Sequence, residues 1–124
     1  MDCMEQIEII KTGFVKCRKL LIAIGDETRQ SIITVLMGSY SGLRVGEITT
    51  RTHLSRPAVS HHIKIMLDCG LVSLEKQGTM NYYSLNMGEE FQNLFSLVAS
   101  LAQFKDAMEN GQLTGVEECA ISHK

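Results

Sequence analysis

Apolar residues recur along the chain at spacings that define its elements. Over residues 4–24 the spacings alternate between four and three, through Cys3, Ile7, Ile10, Phe14, Cys17, Leu21 and Ile24. That pattern predicts a helix with a heptad-like seam. Glu5, Glu8, Lys11, Lys16, Arg18 and Lys19 lie off the seam. Such a helix needs a partner surface, either its own domain or a second subunit, and the dimer is preferred. Gly25 stops it, and Asp26 caps the next helix with Glu27 in the first turn. Ile32, Ile33, Leu36 and Met37 form the buried face of this second helix, Gly38 ends it, and 39–42 is a loop.

A third, short helix runs over 45–52, with Val45, Ile48 and Leu54 pointing inward. His53-Leu54-Ser55 is a tight turn into the stretch SRPAVSHHIKIMLDCGL, residues 55–71. Ser55 is the N-cap, Pro57 sits in the first turn where its missing N–H costs little, and Gly70 closes the helix. Two short helices joined by such a turn make a helix-turn-helix pattern. Residues 71–76 and 80–85 are apolar-rich and strand-favouring, with Gln77-Gly78-Thr79 as a hairpin tip. A hairpin directly after this helix is a wing.

Asn86 and Glu89 have the spacing of a capping box for the last helix. Phe91, Leu94, Phe95, Leu97, Val98, Leu101, Phe104 and Met108 make an apolar face too wide for one contact. One side is expected to meet the domain and the other a second subunit. Gly111 ends this helix. The expected plan is a single domain over 1–110, mainly α with a small β-hairpin. Dimerisation helices lie at 1–24 and 87–110, the helix-turn-helix at 45–69 and the wing at 71–85. Residues 111–124 are expected to be a flexible tail.

Composition narrows this little. Of 124 residues, 44% are hydrophobic and 6% aromatic, with no Trp, so the core must be aliphatic. Net charge is −2, which does not announce a nucleic-acid partner. Its distribution says more. Residues 44–76 carry Arg44, Arg51, Arg56, Lys64 and Lys76 against Glu47, Asp68 and Glu75, whereas 86–124 carry two basic and six acidic residues. The positive third coincides with the helix-turn-helix and wing.

At about 100° per residue, placing Val59 at zero puts Ile63, Met66 and Gly70 within about 40° of it, the buried face. Pro57, His61, Lys64 and Asp68 point the opposite way, Ser60 and Ile65 lie on the flanks, and His62 lies near the buried edge. A rigid helix start exposing Arg56, Ser60, His61 and Lys64 suits a major groove. Arg can take guanine bidentately, Ser can donate or accept, and Lys can meet phosphate. Lys76, Gln77 and Thr79 on the wing can reach backbone or minor groove. The bland alternative is a solvated polar face on a scaffold. Neighbouring histidines on a helix diverge by about 100°, so a shared metal is disfavoured.

The run 24–85 resembles the ArsR/SmtB-type winged-helix repressors. The likeness rests on IGDETRQSII, VGEITTRTHLSRPAVSHHIKIM, the following CGLV, and GTMNYYSL in the wing. It covers about half the chain, and PAVSHHIK is quite specific. The resemblance implies five helices plus a wing, a homodimer built from the first and last helices, and repression at an inverted-repeat operator released by a signal. Carried over, DNA contacts fall on Ser55, Arg56, Ser60, His61, His62 and Lys64. Departures concern the signal. The Cys-x-Cys of metal-sensing members falls on Arg44 and Gly46, and the last helix has acids but no His. No metal or other cofactor is therefore expected at the usual sites. Leu67 stands where a polar residue is usual, and the wing is poor in basic residues.

The four cysteines, Cys3, Cys17, Cys69 and Cys119, form no CxxC pair, and nothing resembles a secretory leader or a membrane span. A reduced, cytoplasmic setting is expected. Cys69 reads as packing. Cys17 reads as packing or, less favoured, as a thiol switch across the dimer. Cys3, Cys119 and His123 are weak candidates for zinc. The leading function is a dimeric DNA-binding repressor of unknown effector. Alternatives are a thiol- or metal-responsive variant, or a winged-helix interaction module without DNA binding. No phosphate-binding loop, nucleophile elbow or HExxH helix supports an enzyme.

Overall fold

The computed structural model describes residues 2–111. In order the elements are α1 (Cys3–Ile24), α2 (Glu27–Met37), α3 (Val45–Thr52), α4 (Arg56–Asp68), β1 (Val72–Gln77), β2 (Met80–Leu85) and α5 (Glu89–Glu109). This is a winged helix-turn-helix: five helices and one antiparallel hairpin. The predicted tail from 112 onward, with Cys119 and His123, lies outside the described residues. The sequence reads as one domain over 1–110. The fold divides into two compact units, residues 2–18 with 92–111, and Lys19–Phe91.

In the first unit Cys3, Cys17 and Leu97 are buried. A Cβ on Gly13 would come 3.0 Å from Leu97 Cδ1, so α1 and α5 approach closely at this glycine. Phe14, on the seam predicted from the sequence, is 48% exposed and so open to a partner surface, while the buried residues of α1 are Cys3, Cys17, Leu20 and Ala23. Met4, Ile9, Phe14 and Val15 on α1 remain exposed, as do Phe95, Val98, Leu101 and Met108 on α5.

The second unit has the aliphatic core that the composition requires. Leu20, Ile32, Leu36, Ile48, Val59, Ile63, Met66 and Leu71 are essentially removed from solvent. Met37 is corrected from the predicted inner face to 63% exposure, because the buried stripe of α2 closes with Leu36. The wing pairs Val72 with Leu85 through Gln77 with Met80. Gly78, with φ +63°, takes the first central position of its two-residue turn. Leu43 adds one bridge outside the hairpin, exchanging two 2.8 Å backbone hydrogen bonds with Tyr83.

Asn86 does not cap α5 with Glu89, as its spacing had predicted. Its Oδ1 accepts from the Gly88 N–H at 3.1 Å, and the helix begins only at Glu89. The Asn side chain turns the chain locally instead, a known competitor of capping.

Gly42 is the residue on which the Leu43–Tyr83 bridge depends. Its φ is +88°, and a Cβ would lie 3.0 Å from Tyr83 O and 3.3 Å from Tyr82 Cβ. Gly42→Ala is expected to destabilise the fold by about 1–3 kcal/mol through backbone strain. Urea unfolding of the two proteins measures this directly. Gly78→Ala meets nothing within 4 Å and serves as the control for strain alone.

Candidate nucleic-acid interface

The interface is built from α3, α4 and the wing. α3 starts at Arg44, whose backbone N–H donates to Glu47 Oε1 at 3.1 Å and whose Nε donates to the same oxygen at 3.2 Å. The Arg44 N–H, and then its guanidinium, hold the Glu47 carboxyl below its ordinary range. The helix ends at His53, the one described non-glycine residue with positive φ (59°). Its N–H donates to Thr49 O at 3.0 Å. Histidine is among the residues that tolerate this conformation, and the reversal it makes sets the tight turn into α4.

α4 is fixed at both ends. Ser55 Oγ accepts from the Ala58 N–H at 3.2 Å, and Pro57 lies in the first turn. At the far end Gly70, with φ +80°, places Leu71 N–H on Met66 O at 2.9 Å and Gly70 N–H on Leu67 O at 3.1 Å. These two bonds form a Schellman motif. Val59, Ile63 and Met66 are buried, contributing about 1.5–3 kcal/mol each by apolar burial.

The structure exposes Ser55, Arg56, Ser60, His61 and Lys64 on the outer side of this helix, and Lys76, Gln77 and Thr79 on the wing. His62 is placed differently. It is half-buried, and Arg29 Nη1 donates to its Nδ1 at 3.3 Å. The His61 and His62 rings meet edge to face, with centroids 5.3 Å apart.

Arg44, not singled out as a contact by the sequence, joins this face beside Arg56. Arg44, Gly46, Glu47, Thr50 and Arg56 line a shallow pocket of about 300 Å³. Gly46 leaves the space: a Cβ there would sit 3.7 Å from Arg56 Nη1. A cation at the start of each of two consecutive helices, as the N-cap of α3 and the first residue of α4, is the sequence signal that could have flagged Arg44 beside Arg56.

Of the other candidates, Cys17 and Cys3 are buried, Cys69 is buried with its thiol donating to Met66 O at 3.5 Å, and Cys119 and His123 lie outside the described residues. Among the described residues no three or more His, Cys, Asp or Glu side chains come together as a metal site. Arg44 and Gly46, at the family's Cys-x-Cys positions, offer no ligand chemistry. A metal therefore does not fit at the Cys-x-Cys positions that the family resemblance would place. No described helix is long and apolar enough to cross a membrane.

Residues 26–73 match the sequence profile of the bacterial regulatory protein, arsR family. The transcriptional repressor SdpR of Bacillus subtilis (strain 168) is 36% identical over 64 residues, covering 52% of this chain and 69% of SdpR. An uncharacterized HTH-type transcriptional regulator of Methanocaldococcus jannaschii is 30% identical over 88 residues, 71% of this chain and 97% of that protein. The chain belongs to the arsR family. The solved ArsR-like transcriptional regulator from Rhodococcus sp. RHA1 superposes on this arsR-family chain with a TM-score of 0.66 at 25% identity, covering 78% of this chain and 90% of that one.

The arsR-family unit also carries a titratable cap beneath α4. Asp26 Oδ2 accepts from the Arg29 N–H at 2.9 Å, and that bond lowers the Asp26 pKa from its ordinary 3.8. A depressed folded pKa adds stability above the unfolded value, lost as pH falls through the folded one. Asp26→Asn keeps a good cap without the charge. Its stability deficit against the parent is expected at neutral pH and should shrink as pH drops below about 4. Thermal unfolding from pH 7 to pH 3 checks this; a deficit that does not change with pH contradicts it.

Proposed function

We propose that this arsR-family regulator is a cytoplasmic homodimeric repressor that binds a double-stranded inverted-repeat operator and needs no cofactor to do so. One α4 enters the major groove of each half-site. The observation that carries this is the two-sidedness of α4. One face is buried, while Arg56, Ser60, His61 and Lys64 stand exposed on the other beside Arg44. Arg56 at the helix start suits a guanine edge, His61 and Ser60 offer further donors and acceptors, and Lys64 and Arg44 suit phosphate. Ser55 and the α4 N-terminus present backbone N–H groups to the same backbone. His62 contributes from the edge, and Lys76, Gln77 and Thr79 extend the contact along the wing.

The homodimer is supported by the apolar residues left exposed in the first unit. Ile9, Phe14 and Val15 on α1 and Phe95, Val98 and Leu101 on α5 are large side chains in water. Large apolar side chains exposed in such number favour an association face. A second copy supplies a cover of the same chemistry, and two-fold symmetry then matches the operator. SdpR is named a transcriptional repressor, and the same activity is proposed for this chain.

Arg56→Ala and His61→Ala are expected to weaken discrimination between operator and random DNA by about 1–3 kcal/mol each. Sedimentation should still give a dimer. Lys64→Ala should weaken binding to both DNAs alike and reduce the salt dependence by about one counterion. Titrations against the DNA upstream of the protein's own gene, at several salt concentrations, read out all three. Unchanged operator preference in Arg56→Ala and His61→Ala would remove α4 as the reader.

A further inference from the structure

Arg29 is the most heavily engaged polar side chain of the winged unit. Its Nε donates to Ala23 O at 2.7 Å and its Nη2 to Ile22 O at 3.3 Å, both in the last turn of α1. Gly25 N–H takes Leu21 O at 3.0 Å, and Gln30 Nε2 takes Ile24 O at 2.8 Å. The four carbonyls that a helix end leaves without partners are thus all satisfied, two of them by one guanidinium. The third arm of that guanidinium, Nη1, leaves α1 and reaches Nδ1 of His62 on α4.

That third contact has a chemical consequence. Arginine has only donors and stays charged. In this contact Nδ1 of His62 accepts, which corresponds to the tautomer with its proton on Nε2; an Nδ1–H would turn N–H against N–H. The oriented His62 ring in turn packs edge to face against the ring of His61, with centroids 5.3 Å apart. His61 is exposed on the outer side of α4.

We propose that Arg29, on α2 and away from the exposed face of α4, is a positioning residue for DNA reading. It acts through His62: it fixes that ring's tautomer and rotamer, and His62 sets the stance of His61. The inference rests on the reading that α4 binds DNA. It further means that the end of α1 and the reading helix share one side chain, so a displacement of the α1 end is felt at His61.

The test combines a double-mutant cycle with a spectroscopic readout. Arg29→Met removes the donors at similar length, and His62→Leu removes the acceptor while leaving the Arg29 bonds to Ala23 and Ile22 in place. Each is expected to weaken operator binding about tenfold, and the double variant to be no weaker than the poorer single variant, because the two residues act as one unit. Nitrogen-15 NMR of the parent at about pH 8, where histidine is neutral, should show His62 as the Nε2-protonated tautomer. In Arg29→Met the ring should become a mixture of tautomers, a change that a merely structural role for Arg29 would not produce.

Losses that multiply to about a hundredfold in the double variant would overturn the proposal. So would a parent-like tautomer in Arg29→Met, or operator binding by His62→Leu equal to the parent's. A parent that bound no operator would instead overturn the DNA reading itself, and this inference with it.

Discussion

α4 must be held firmly while one whole side of it is kept available, and the rest of the winged unit follows from that requirement. Val59, Ile63 and Met66 secure it from below by apolar burial, at spacings of four and three that return to one face of a helix. Because those three suffice, the outer positions carry no packing duty and can be Arg, Ser, His and Lys. Helix phase matters as much as burial, since a helix started one residue later would turn every outer side chain by about 100°. Ser55 fixes the start and the Schellman turn at Gly70 fixes the end. Charge adds to the same geometry: the positive end of the helix dipole lies at Arg56, where an anionic partner is favoured.

What surrounds α4 is arranged to keep neighbouring elements in register with it. The bridge between Leu43 and Tyr83 ties the wing to the loop that launches α3, so the hairpin does not stand as an isolated pair of strands. Two-stranded hairpins alone are marginal in water. Arg29 does a comparable job on the other flank, tying the last turn of α1 to His62. Both links are polar and few. They hold orientation rather than bulk stability, which comes from the aliphatic core.

The sequence showed the winged unit well because its rules are local. The bounds of α3, the Ser55 cap and the buried trio of α4 follow from spacing and capping and match the fold, while Gln77, placed in the hairpin tip, belongs to β1. The misses share a cause: they depend on partners distant in sequence. The close approach of α1 and α5 at Gly13 depends on Leu97 lying against it, and a glycine is silent in a hydrophobic pattern. Asn86 preferred Gly88 to the helix start. The end of α1 was read as a glycine stop. Gly25, however, lacks a left-handed φ, and the capping groups come from Arg29 and Gln30 on the next helix. At the interface, the outer side of α4 was legible from helical phase alone. The tie from His62 to Arg29 spans 33 residues and no periodicity reports it.

We propose that α4 lies in the major groove with Arg56 against guanine. Methylation interference tests it most directly, because methylating guanine N7 blocks a major-groove acceptor without altering the sequence. Operator DNA methylated sparsely at guanine is bound, and the bound and unbound fractions are compared. Methylated guanines should be depleted from the bound fraction at two symmetric clusters about one helical turn, roughly 10 base pairs, apart. An even distribution of methylated guanines in both fractions, from a protein that still selects its operator, would contradict it.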